Sequence, residues 1–356
     1  MAKQGSGTLA LGGVSNYSGA TSINNGVLQL TTGNDRLPTG TVVNLGQAAS
    51  SNFGTLDLNG RNQQIAGLNS TTGTNATASN NTVTSSTSAT LTIGGTGNYN
   101  YGDATNTNSG IIAGAISLVK SGSGTQTLGD ANTYTGTTSI IGGKLIIAPT
   151  GSLANTLVTV GGASASGTPT LGGGGIIAGA TTIAAANGGV VGTHAPGISG
   201  VGNGVGTQNF STTLAYGSGS IFEWDLAAAS TADPGVVANG LTGTYDQVVS
   251  TGAVTGGAAV FKVVIGGNSF TDAFWDTNKS WTNIFTGAGA PTLLSHIFSS
   301  FSATGGLDSS GGVAGQGLFS FNGSTATLNW TAVPEPTSAL AAILLGAGLL
   351  RRRRMA

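Results

Sequence analysis

A segment of 24 residues occurs twice in this chain, and this repetition limits the possible folds more than any other feature. Residues 7–30 align without gaps to residues 124–147, and eleven positions are identical. Each copy has the pattern of a strand, a turn with Asn and Tyr, a second strand, a Gly-containing turn and a third strand. A unit of this size cannot bury its apolar side chains alone and needs a stacked neighbour. The repeat therefore predicts a solenoid of β-strand coils.

Short alternating runs extend the strand pattern beyond the two copies. Residues 41–46, 54–60 and 90–93 alternate apolar and polar side chains, which is the two-residue period of half-buried strands. Many of the 63 glycines punctuate these runs at turns, where a positive φ is cheap for glycine. We expect an all-β chain that folds as a right-handed parallel β-helix. Residues 69–89 are almost wholly Ser, Thr, Asn, Ala and Gly, and we expect an exposed loop or polar coil there.

Changes in composition divide the chain into four predicted segments. Residues 1–150 form the repeat-bearing β-helix, and residues 151–209 form a Gly- and Ala-rich continuation. Residues 210–332 contain most of the large aromatic side chains and form either the end of the solenoid or a small β-sandwich cap. An open solenoid end exposes unpaired backbone groups, so a distal β-rich cap is expected. Residues 333–356 form a separate tail.

The repeated segments resemble the autotransporter-associated β-strand repeat of large bacterial surface proteins. The resemblance rests on Gly7, Leu11, Tyr17, Gly19, Thr21, Ile23, Gly26 and Leu28, and on Gly124, Leu128, Tyr134, Gly136, Thr138, Ile140, Gly143 and Leu145. It implies a β-helical stalk similar to the passenger of such proteins.

The tail contains the most direct localisation signal in the chain. Pro334, Glu335 and Pro336 precede an apolar run at 339–350, which is followed by the arginines Arg351, Arg352, Arg353 and Arg354. Lys and Arg resist translocation, so the arginines orient a membrane helix with its end in the cytoplasm and the preceding chain outside. Residues 337–350 span roughly 21 Å as a helix, which is short of the ~30 Å hydrocarbon core. The short helix favours a transient anchor.

This order of Pro-Glu-Pro, apolar helix and arginine cluster resembles the PEP-CTERM sorting signal of Gram-negative bacteria. The resemblance implies export, and then recognition and cleavage near Pro334 by an exosortase-like membrane protease. The cytoplasmic membrane and that protease are thus the expected partners. A permanent anchor and a buried C-terminal helix of a soluble domain remain as alternatives. No secretory signal precedes the first repeat, so we expect that the sequence is the C-terminal part of a longer protein.

Composition argues against several classes of function. The chain has no cysteine, so neither a disulfide framework nor thiol chemistry is expected. Eleven Lys and Arg balance twelve Asp and Glu, and outside the tail no basic cluster offers a nucleic-acid footprint. The glycines at 172–175 lack the Lys-Ser/Thr ending of a phosphate loop, so no cofactor site is predicted. His194 and His296 have no neighbouring ligands at metal spacing and are predicted to be turn or surface residues.

One pair of carboxylates has a spacing that suits catalysis. Glu223 and Asp225 are two residues apart, so in a strand they point to the same face at roughly 7 Å, which suits an inverting glycosidase. Asp246 is a possible third member. No cluster of basic residues surrounds them in the sequence, and a solvated strand face explains such residues equally. We therefore predict no catalytic residues.

Aromatic side chains are concentrated in the segment 210–332. The prediction is that they fill the core or the cap, with a sugar-binding aromatic platform as the alternative; they include Phe222, Trp224, Phe261, Phe270 and Phe274. Taken together, the sequence predicts an exported, non-enzymatic structural or adhesive protein of the cell surface or extracellular matrix that contacts polysaccharide. A polysaccharide-binding or polysaccharide-degrading β-helix enzyme is the alternative.

Overall fold

The structure is a computed structural model that describes residues 1–47, 50, 52–70, 81–102, 110–154, 156–197, 204–227, 230–231, 244–265, 269–303 and 308–333. The strands of the first part are β1 (Ala2–Lys3), β2 (Thr8–Leu11), β3 (Thr21–Ile23), β4 (Gly26–Leu30), β5 (Val42–Leu45), β6 (Gly54–Asp57), β7 (Gln63–Ile65), β8 (Gly67–Ser70), β9 (Thr82–Thr84), β10 (Ala89–Ile93), β11 (Asn98–Tyr101) and β12 (Ile111–Ile112).

The middle part contains β13 (Ile116–Lys120), β14 (Thr125–Leu128), β15 (Ala131–Asn132), β16 (Thr138–Ile140), β17 (Lys144–Ile147), β18 (Ser152–Leu153), β19 (Val158–Val160), β20 (Thr170–Gly173), β21 (Ile176–Ile177), β22 (Thr181–Ile183), β23 (Thr193–Pro196) and β24 (Thr207–Phe210). The last part contains β25 (Leu214–Tyr216), β26 (Ile221–Leu226), β27 (Gln247–Ser250), β28 (Val254–Gly256), β29 (Ala259–Ile265), β30 (Lys279–Trp281), β31 (Phe285–Thr286), β32 (Phe298–Ala303), β33 (Gly312–Val313), β34 (Gly317–Phe321) and β35 (Leu328–Ala332). Short 3-10 helices cover Ala273–Asp276 and Leu294–His296.

Within the described residues, parallel strands form three faces around one core. Face 1 has the order β1-β3-β5-β8 and then β11-β14-β17-β20-β23-β26-β29-β32. Face 2 has the order β2-β4-β6-β9-β12 and then β15-β18-β21-β24-β27-β31, and face 3 runs from β7 to β28. Side chains join the two parts of each split face: Asn69 accepts from the Asn100 N–H at 2.9 Å, and Asn132 accepts from the Ile112 N–H at 3.0 Å. The predicted parallel β-solenoid is confirmed, whereas its handedness stays a prediction.

The core consists of columns of side chains that lie above one another in successive coils. On face 3 the strand register produces one such column, which runs through Ile65, Ile93, Lys120, Ile140, Val160 and Ile183. On face 1 a second column runs through Leu145, Leu171, His194, Phe222 and Phe261. All of these residues are buried. A fixed register thus keeps each inward position inward from coil to coil.

The two copies of the repeat make the same hydrogen bonds. In the first copy the Tyr17 hydroxyl lies 2.6 Å from the Thr21 hydroxyl, which in turn lies 3.0 Å from Thr41 of the next coil. The second copy forms the same chain of hydroxyl contacts, at 2.6 and 2.9 Å, through Tyr134, Thr138 and Thr156. The shared Tyr and Thr therefore tie each coil to the next.

A buried lysine stands four residues before each copy. Lys3 is 6% exposed and Lys120 is 1% exposed, and both ammonium groups donate to backbone carbonyl oxygens at the neighbouring turns. The acceptors are the carbonyls of Gln4, Gly5 and Asn25 for the first lysine, and those of Gly122 and Gly142 for the second. Burial lowers the pKa of Lys120 to about 8. The carbonyl oxygens partly compensate for the loss of water around each ammonium group.

Buried glutamines complete the backbone pairing where a strand partner is missing. Gln63 accepts from the Leu37 N–H at 3.0 Å and donates to the Leu37 carbonyl at 3.1 Å. Gln126 likewise accepts from the Leu68 N–H at 3.0 Å and donates to the Leu68 carbonyl at 2.9 Å. A side-chain amide has the same donor and acceptor as a peptide group, so it satisfies buried backbone that would otherwise be costly.

The polar stretch at 69–89 is more regular than expected. Residues 71–80 lie outside the described residues, but β9 pairs with β6 through Thr82, Val83 and Thr84. The expected exposed loop is therefore wrong for residues 82–84, where the alternative of a polar coil holds. Backbone pairing itself does not require apolar side chains. The one valine of this stretch, Val83, points into the core and is 0% exposed.

The solenoid ends in a small antiparallel sheet. Strands in the described part of the chain continue the three faces as far as β32, and β30-β35-β34-β33 then form an antiparallel sheet. Trp330 donates its indole N–H to the Trp275 carbonyl at 2.8 Å, and Phe270 stacks on Trp330 with centroids 5.6 Å apart. The segment 210–332 therefore contains both of the predicted features, a continued solenoid and a β-rich end.

The predicted C-terminal helix cannot be compared with the structure. In the described part of the chain, no helix is both long enough and apolar enough to cross a bilayer. Val333 is 53% exposed, and residues 334–356 lie outside the described residues. The tail helix therefore stays a prediction.

Replacing Tyr134 by Phe should reduce the free energy of unfolding by about 1 kcal/mol, since a buried hydroxyl bond is lost while Thr138 keeps its bond to Thr156. Tyr17→Phe is the matched control, because Tyr17 makes the same bond in a partly exposed position. Urea unfolding followed by circular dichroism measures both. Equal destabilisation by the two variants would contradict the role given to burial.

Candidate functional site

A groove of about 260 Å³ crosses the outer surface of face 1. Its lining residues come from the strands β11, β14, β17, β20, β23 and β26, which are consecutive neighbours in the sheet. The groove therefore runs along the solenoid axis and crosses successive coils. We call it the face 1 groove.

Small side chains in the middle strands create the floor of the groove. The outward column on face 1 begins with Thr127 and Ile146, continues with Gly172 and reaches Ala195. The larger Ile146 and the small Ala195 line the groove, together with Pro196. Glycine and alanine project less far from the sheet than the larger side chains of neighbouring strands. The groove lies where these small residues stand.

A glycine turn fixes one side of the groove. Gly173 and Gly197 form an antiparallel bridge with N–H to carbonyl distances of 2.7 and 3.0 Å. Both have a positive φ, and a Cβ on Gly197 would lie 1.8 Å from the Gly204 carbonyl oxygen. Only glycine fits there. The run at 172–175, which was not predicted to bind phosphate, therefore has a backbone role in this structure.

Charged side chains lie near the middle of the groove and at its β26 end. Lys144 is exposed on β17, and Glu223 and Asp225 lie on β26, three strand spacings or roughly 14 Å away. Glu223 forms an ion pair with Lys262 of the adjacent strand at 2.6 Å. Both partners are about a quarter exposed, at 24% and 29%. The groove is thus lined by charges of both signs.

Asp225 is the side chain with the most unusual electrostatics in the groove. Burial raises the pKa of its carboxyl to about 7; the charge of Glu223 adds to the rise, and Lys262 and Lys144 oppose it. Asp225 therefore changes charge close to neutral pH. A group with such a pKa can donate as well as accept a proton or hydrogen bond under ordinary conditions.

Asp246 lies behind Asp225 and is fully buried. Its two carboxylate oxygens accept from the Gly206 N–H at 2.8 Å and the Asp225 N–H at 2.9 Å. Burial, with Asp225 as a further cause, raises the pKa of the Asp246 carboxyl well above its usual range. Its oxygens hold backbone rather than line the groove, so Asp246 positions the strand that carries Asp225.

The structure unites some of the residues singled out in the sequence and adds others. Glu223 and Asp225 point outward from alternate positions of β26, as predicted. The sequence analysis missed Lys144 and Lys262, which the register brings to the same surface as the carboxylates, from three coils away and from the next coil. One signal was available for Lys144, since it replaces Val27 of the first repeat. These two lysines lie four strand spacings apart on face 1, so they do not contradict the prediction that no basic cluster surrounds the carboxylates.

The aromatic side chains of the last part belong to the interior. The fully or almost fully buried ones include Phe222, Trp224, Phe261 and Phe270. Phe274 is partly exposed, with the Lys279 ammonium 4.7 Å from its ring centroid. The prediction of core or cap residues is confirmed for these positions, and the alternative of an exposed aromatic platform is wrong for the four buried ones.

The two histidines have different environments. His296 is exposed at the end of a 3-10 helix, as predicted. His194 is 0% exposed inside β23, so the prediction of a turn or surface residue was wrong. Its Nδ1 lies 2.6 Å from the Tyr216 hydroxyl and its Nε2 lies 2.8 Å from Gln208 Oε1, which explains how a polar ring is accommodated in the core. Among the described residues, no cluster of three His, Cys, Asp or Glu is arranged to hold a metal ion.

The predicted sorting motif lies outside the described residues. Pro334, Glu335 and Pro336, and the arginines Arg351, Arg352, Arg353 and Arg354, all belong to the part from 334 to 356. The roles given to them therefore stay predictions.

Comparison with known proteins identifies the repeats. The family model of the passenger-associated-transport-repeat matches residues 1–30 and 118–147, about a sixth of the chain. These segments contain the two copies of the repeat, and the match confirms the autotransporter-associated resemblance. No curated protein and no solved structure matches the chain. The repeats indicate an exported or surface protein of the passenger type.

The contribution of His194 to the free energy of unfolding should fall between pH 6.5 and pH 4, whereas the raised pKa values of Asp225 and Asp246 act in the opposite direction. Burial lowers the pKa of His194 to about 4, so the unfolded chain binds a proton in this interval that the folded core excludes. The contribution is about 3 kcal/mol at most. In urea unfolding at several pH values, the free energy of unfolding of wild type minus that of His194→Gln should fall over this interval, and the corresponding difference for His296→Gln should stay constant. An unaltered slope in His194→Gln would contradict the assignment.

Proposed function

We propose that this protein is an exported, non-enzymatic structural or adhesive solenoid of the cell surface or extracellular matrix. The observation that carries the proposal is the parallel ladder from β1 to β32, with a passenger-associated repeat at its start and another in its middle. Such a stack gives a long, weakly charged rod whose backbone groups are paired internally. Paired backbone resists local opening, which proteases require.

The surface of the rod suits contact with polar polymers. Threonine, serine and asparagine occupy many outward strand positions, as in Thr90 and Thr92 of β10 or Ser117 of β13. Uncharged hydroxyl and amide groups offer hydrogen bonds without a long-range field of one sign. Extracellular polysaccharide is therefore the proposed partner of the displayed solenoid.

Delivery in this proposal depends on the C-terminal tail. Pro334, Glu335 and Pro336 form the recognition motif for an exosortase-like membrane protease, and the four arginines hold the helix in the cytoplasmic membrane until cleavage. The tail then separates, and the solenoid remains at the surface or is released. A permanent anchor is the alternative fate.

Full-length protein with Glu335→Ala should keep its tail and stay in the membrane fraction of the native host, whereas wild-type protein should lose the residues beyond the neighbourhood of Pro334. The reason is that the protease would no longer recognise the motif. Intact mass and C-terminal sequencing of surface, membrane and culture fractions give the readout. Glu223→Gln, which changes a glutamate outside the motif, is the control. An intact tail on wild-type surface protein would replace this proposal by the permanent anchor.

One observation favours a second candidate, a polysaccharide-degrading enzyme. Asp225, with its pKa of about 7, is a suitable general acid, and the ion-paired Glu223 is a suitable general base on the same strand face. The balanced step would add water to the anomeric carbon, transfer the water proton to Glu223 and transfer the Asp225 proton to the leaving oxygen. The contact with Lys262 holds the Glu223 carboxylate against the sheet, away from an attacking water, so we prefer the non-enzymatic role.

Wild-type protein should release no new reducing ends from neutral or acidic polysaccharides over days at pH 5 to 8. The double variant Glu223→Gln/Asp225→Asn should fold and reach the surface like wild type, since both side chains point outward. Reducing-sugar assays and mass spectrometry of the products supply the measurement. Release of oligosaccharides by wild type that disappears in the double variant would establish the enzyme instead.

A further inference from the structure

We propose that the face 1 groove binds an uncharged polysaccharide, with a short run of neutral sugar rings lying along the solenoid axis. This inference rests on the surface role proposed above and gives the polysaccharide contact a defined site. The argument uses the shape of the groove, the chemistry of its lining and the arrangement of its charges.

The shape of the groove suits part of a polymer. Its volume of about 260 Å³ is slightly below the roughly 300–1,000 Å³ of pockets that enclose whole small ligands. It crosses neighbouring coils on an outer sheet surface, so a chain can continue beyond it in both directions along the axis. A small site on an extended ligand gains strength by repetition and by avidity rather than by enclosure.

The floor is rigid before any ligand arrives. The Gly173–Gly197 bridge has two backbone hydrogen bonds, and the strands beneath the groove belong to the continuous ladder of face 1. A positive φ at both glycines ties the turn to this conformation. Little conformational freedom remains to be lost on binding, which favours affinity in a small site.

The lining matches the two kinds of surface on a sugar ring. Asn98, Thr125 and Thr170 supply uncharged hydrogen-bonding groups, while Ile146 and Pro196 supply apolar surface. A pyranose ring has hydroxyl groups around its edge and C–H groups on its faces. A hydroxyl also serves as donor and acceptor, so it can pair with either half of an Asn amide.

The charges disfavour polyelectrolytes of either sign. An anionic polymer would meet the carboxylates of Glu223 and Asp225, and a cationic polymer would meet Lys144. A metal ion has no cluster of three ligands in the part of the chain that the structure describes. Mixed signs along one groove therefore select for a ligand without net charge.

Asp225 is the polar group with most to gain from a ligand. Its side chain is half-buried, and its carboxyl accepts no hydrogen bond from the described residues, although its backbone N–H is bound by Asp246. A Cβ placed on Gly204 would lie 3.3 Å from the Asp225 carboxyl, so glycine leaves the space beside this group open. A sugar hydroxyl there would satisfy a partly desolvated carboxyl.

The protonation state of Asp225 should tune binding without abolishing it. The charged groups around it are Glu223 on its own strand, Lys262 on β29, Lys144 on β17 and the buried Asp246 behind it. Below neutral pH the carboxyl donates to a hydroxyl oxygen, and above neutral pH it accepts from the hydroxyl. The side-chain amide of Asp225→Asn retains a hydrogen-bond donor and an acceptor, but it does not change its charge with pH.

The test uses calorimetry with full-length protein and defined hexamers. The neutral probes are cellohexaose, maltohexaose and mannohexaose, and the charged comparators are hexagalacturonate and hexaglucosamine. At least one neutral hexamer should bind, and more tightly than both charged ones. Ala195→Tyr fills the floor and should weaken binding at least about tenfold through a steric clash. Thr193→Tyr is the matched control, because it adds the same side chain on the same outward face of β23 without lining the groove, and should bind like wild type.

Several results would overturn the inference: no neutral hexamer binds, a charged hexamer binds more tightly, or Ala195→Tyr binds as well as Thr193→Tyr. Circular dichroism shows that both tyrosine variants fold, so a loss of binding cannot be attributed to unfolding. Wild-type affinity should change between pH 6 and pH 8, and the Asp225→Asn profile should be flat. A titration that persists in Asp225→Asn would refute the role of this carboxyl.

Surface processing of the same variants separates this inference from the proposed function. Normal tail cleavage and display with no binding to any hexamer would refute the groove and leave the surface role in place. Binding to a neutral hexamer by protein that is never displayed would refute the surface role and leave the groove.

Discussion

Backbone pairing between successive coils is the interaction on which the whole structure depends. Each strand on the three faces donates and accepts along the solenoid axis, and the constant register keeps one side of every strand in the core. Polar groups inside the stack are arranged around this ladder. Gln63 and Gln126 replace a missing strand partner, and the carbonyls of the turns receive the ammonium group of Lys120. A stack without disulfides is thus held together by hydrogen bonds to the same backbone N–H and carbonyl groups in coil after coil.

The same register builds the outer surface. Outward side chains also lie in columns, so a change from large to small residues in neighbouring coils becomes a groove, and opposite charges in neighbouring coils become the pair of Glu223 and Lys262. Asp225 receives its unusual pKa from this arrangement, since burial raises the pKa and the neighbouring Glu223 adds to the rise. The face 1 groove is therefore a product of coil stacking and needs no separate domain.

The repeat made the coil architecture predictable, because its turn glycines and two-residue alternation act locally. Three features depend on contacts that local patterns do not contain. β9 forms in a polar stretch because its neighbours provide the pairing, and His194 is buried because Tyr216 and Gln208 from the other two faces bind its ring. Lys144 and Lys262 share a surface with the carboxylates only because the coils stack. Loops of different lengths separate these strands in the sequence, so their spacing along the chain does not reveal it. The carboxylate pair itself was visible as an i, i+2 spacing, whereas the groove between it and Lys144 was not.

The size of the core side chains changes along the axis. The coils around β19 to β22 contain mainly valine, leucine and isoleucine with many glycines, whereas those from β26 onward contain tryptophan and phenylalanine packed ring against ring, such as Trp224 and Trp281 at 5.6 Å. Aromatic side chains bury far more area per coil than valine does. The rod is therefore mechanically uneven. Under a pull along its length, the aliphatic coils yield first and the aromatic end holds longest, so the solenoid has a built-in direction of unravelling.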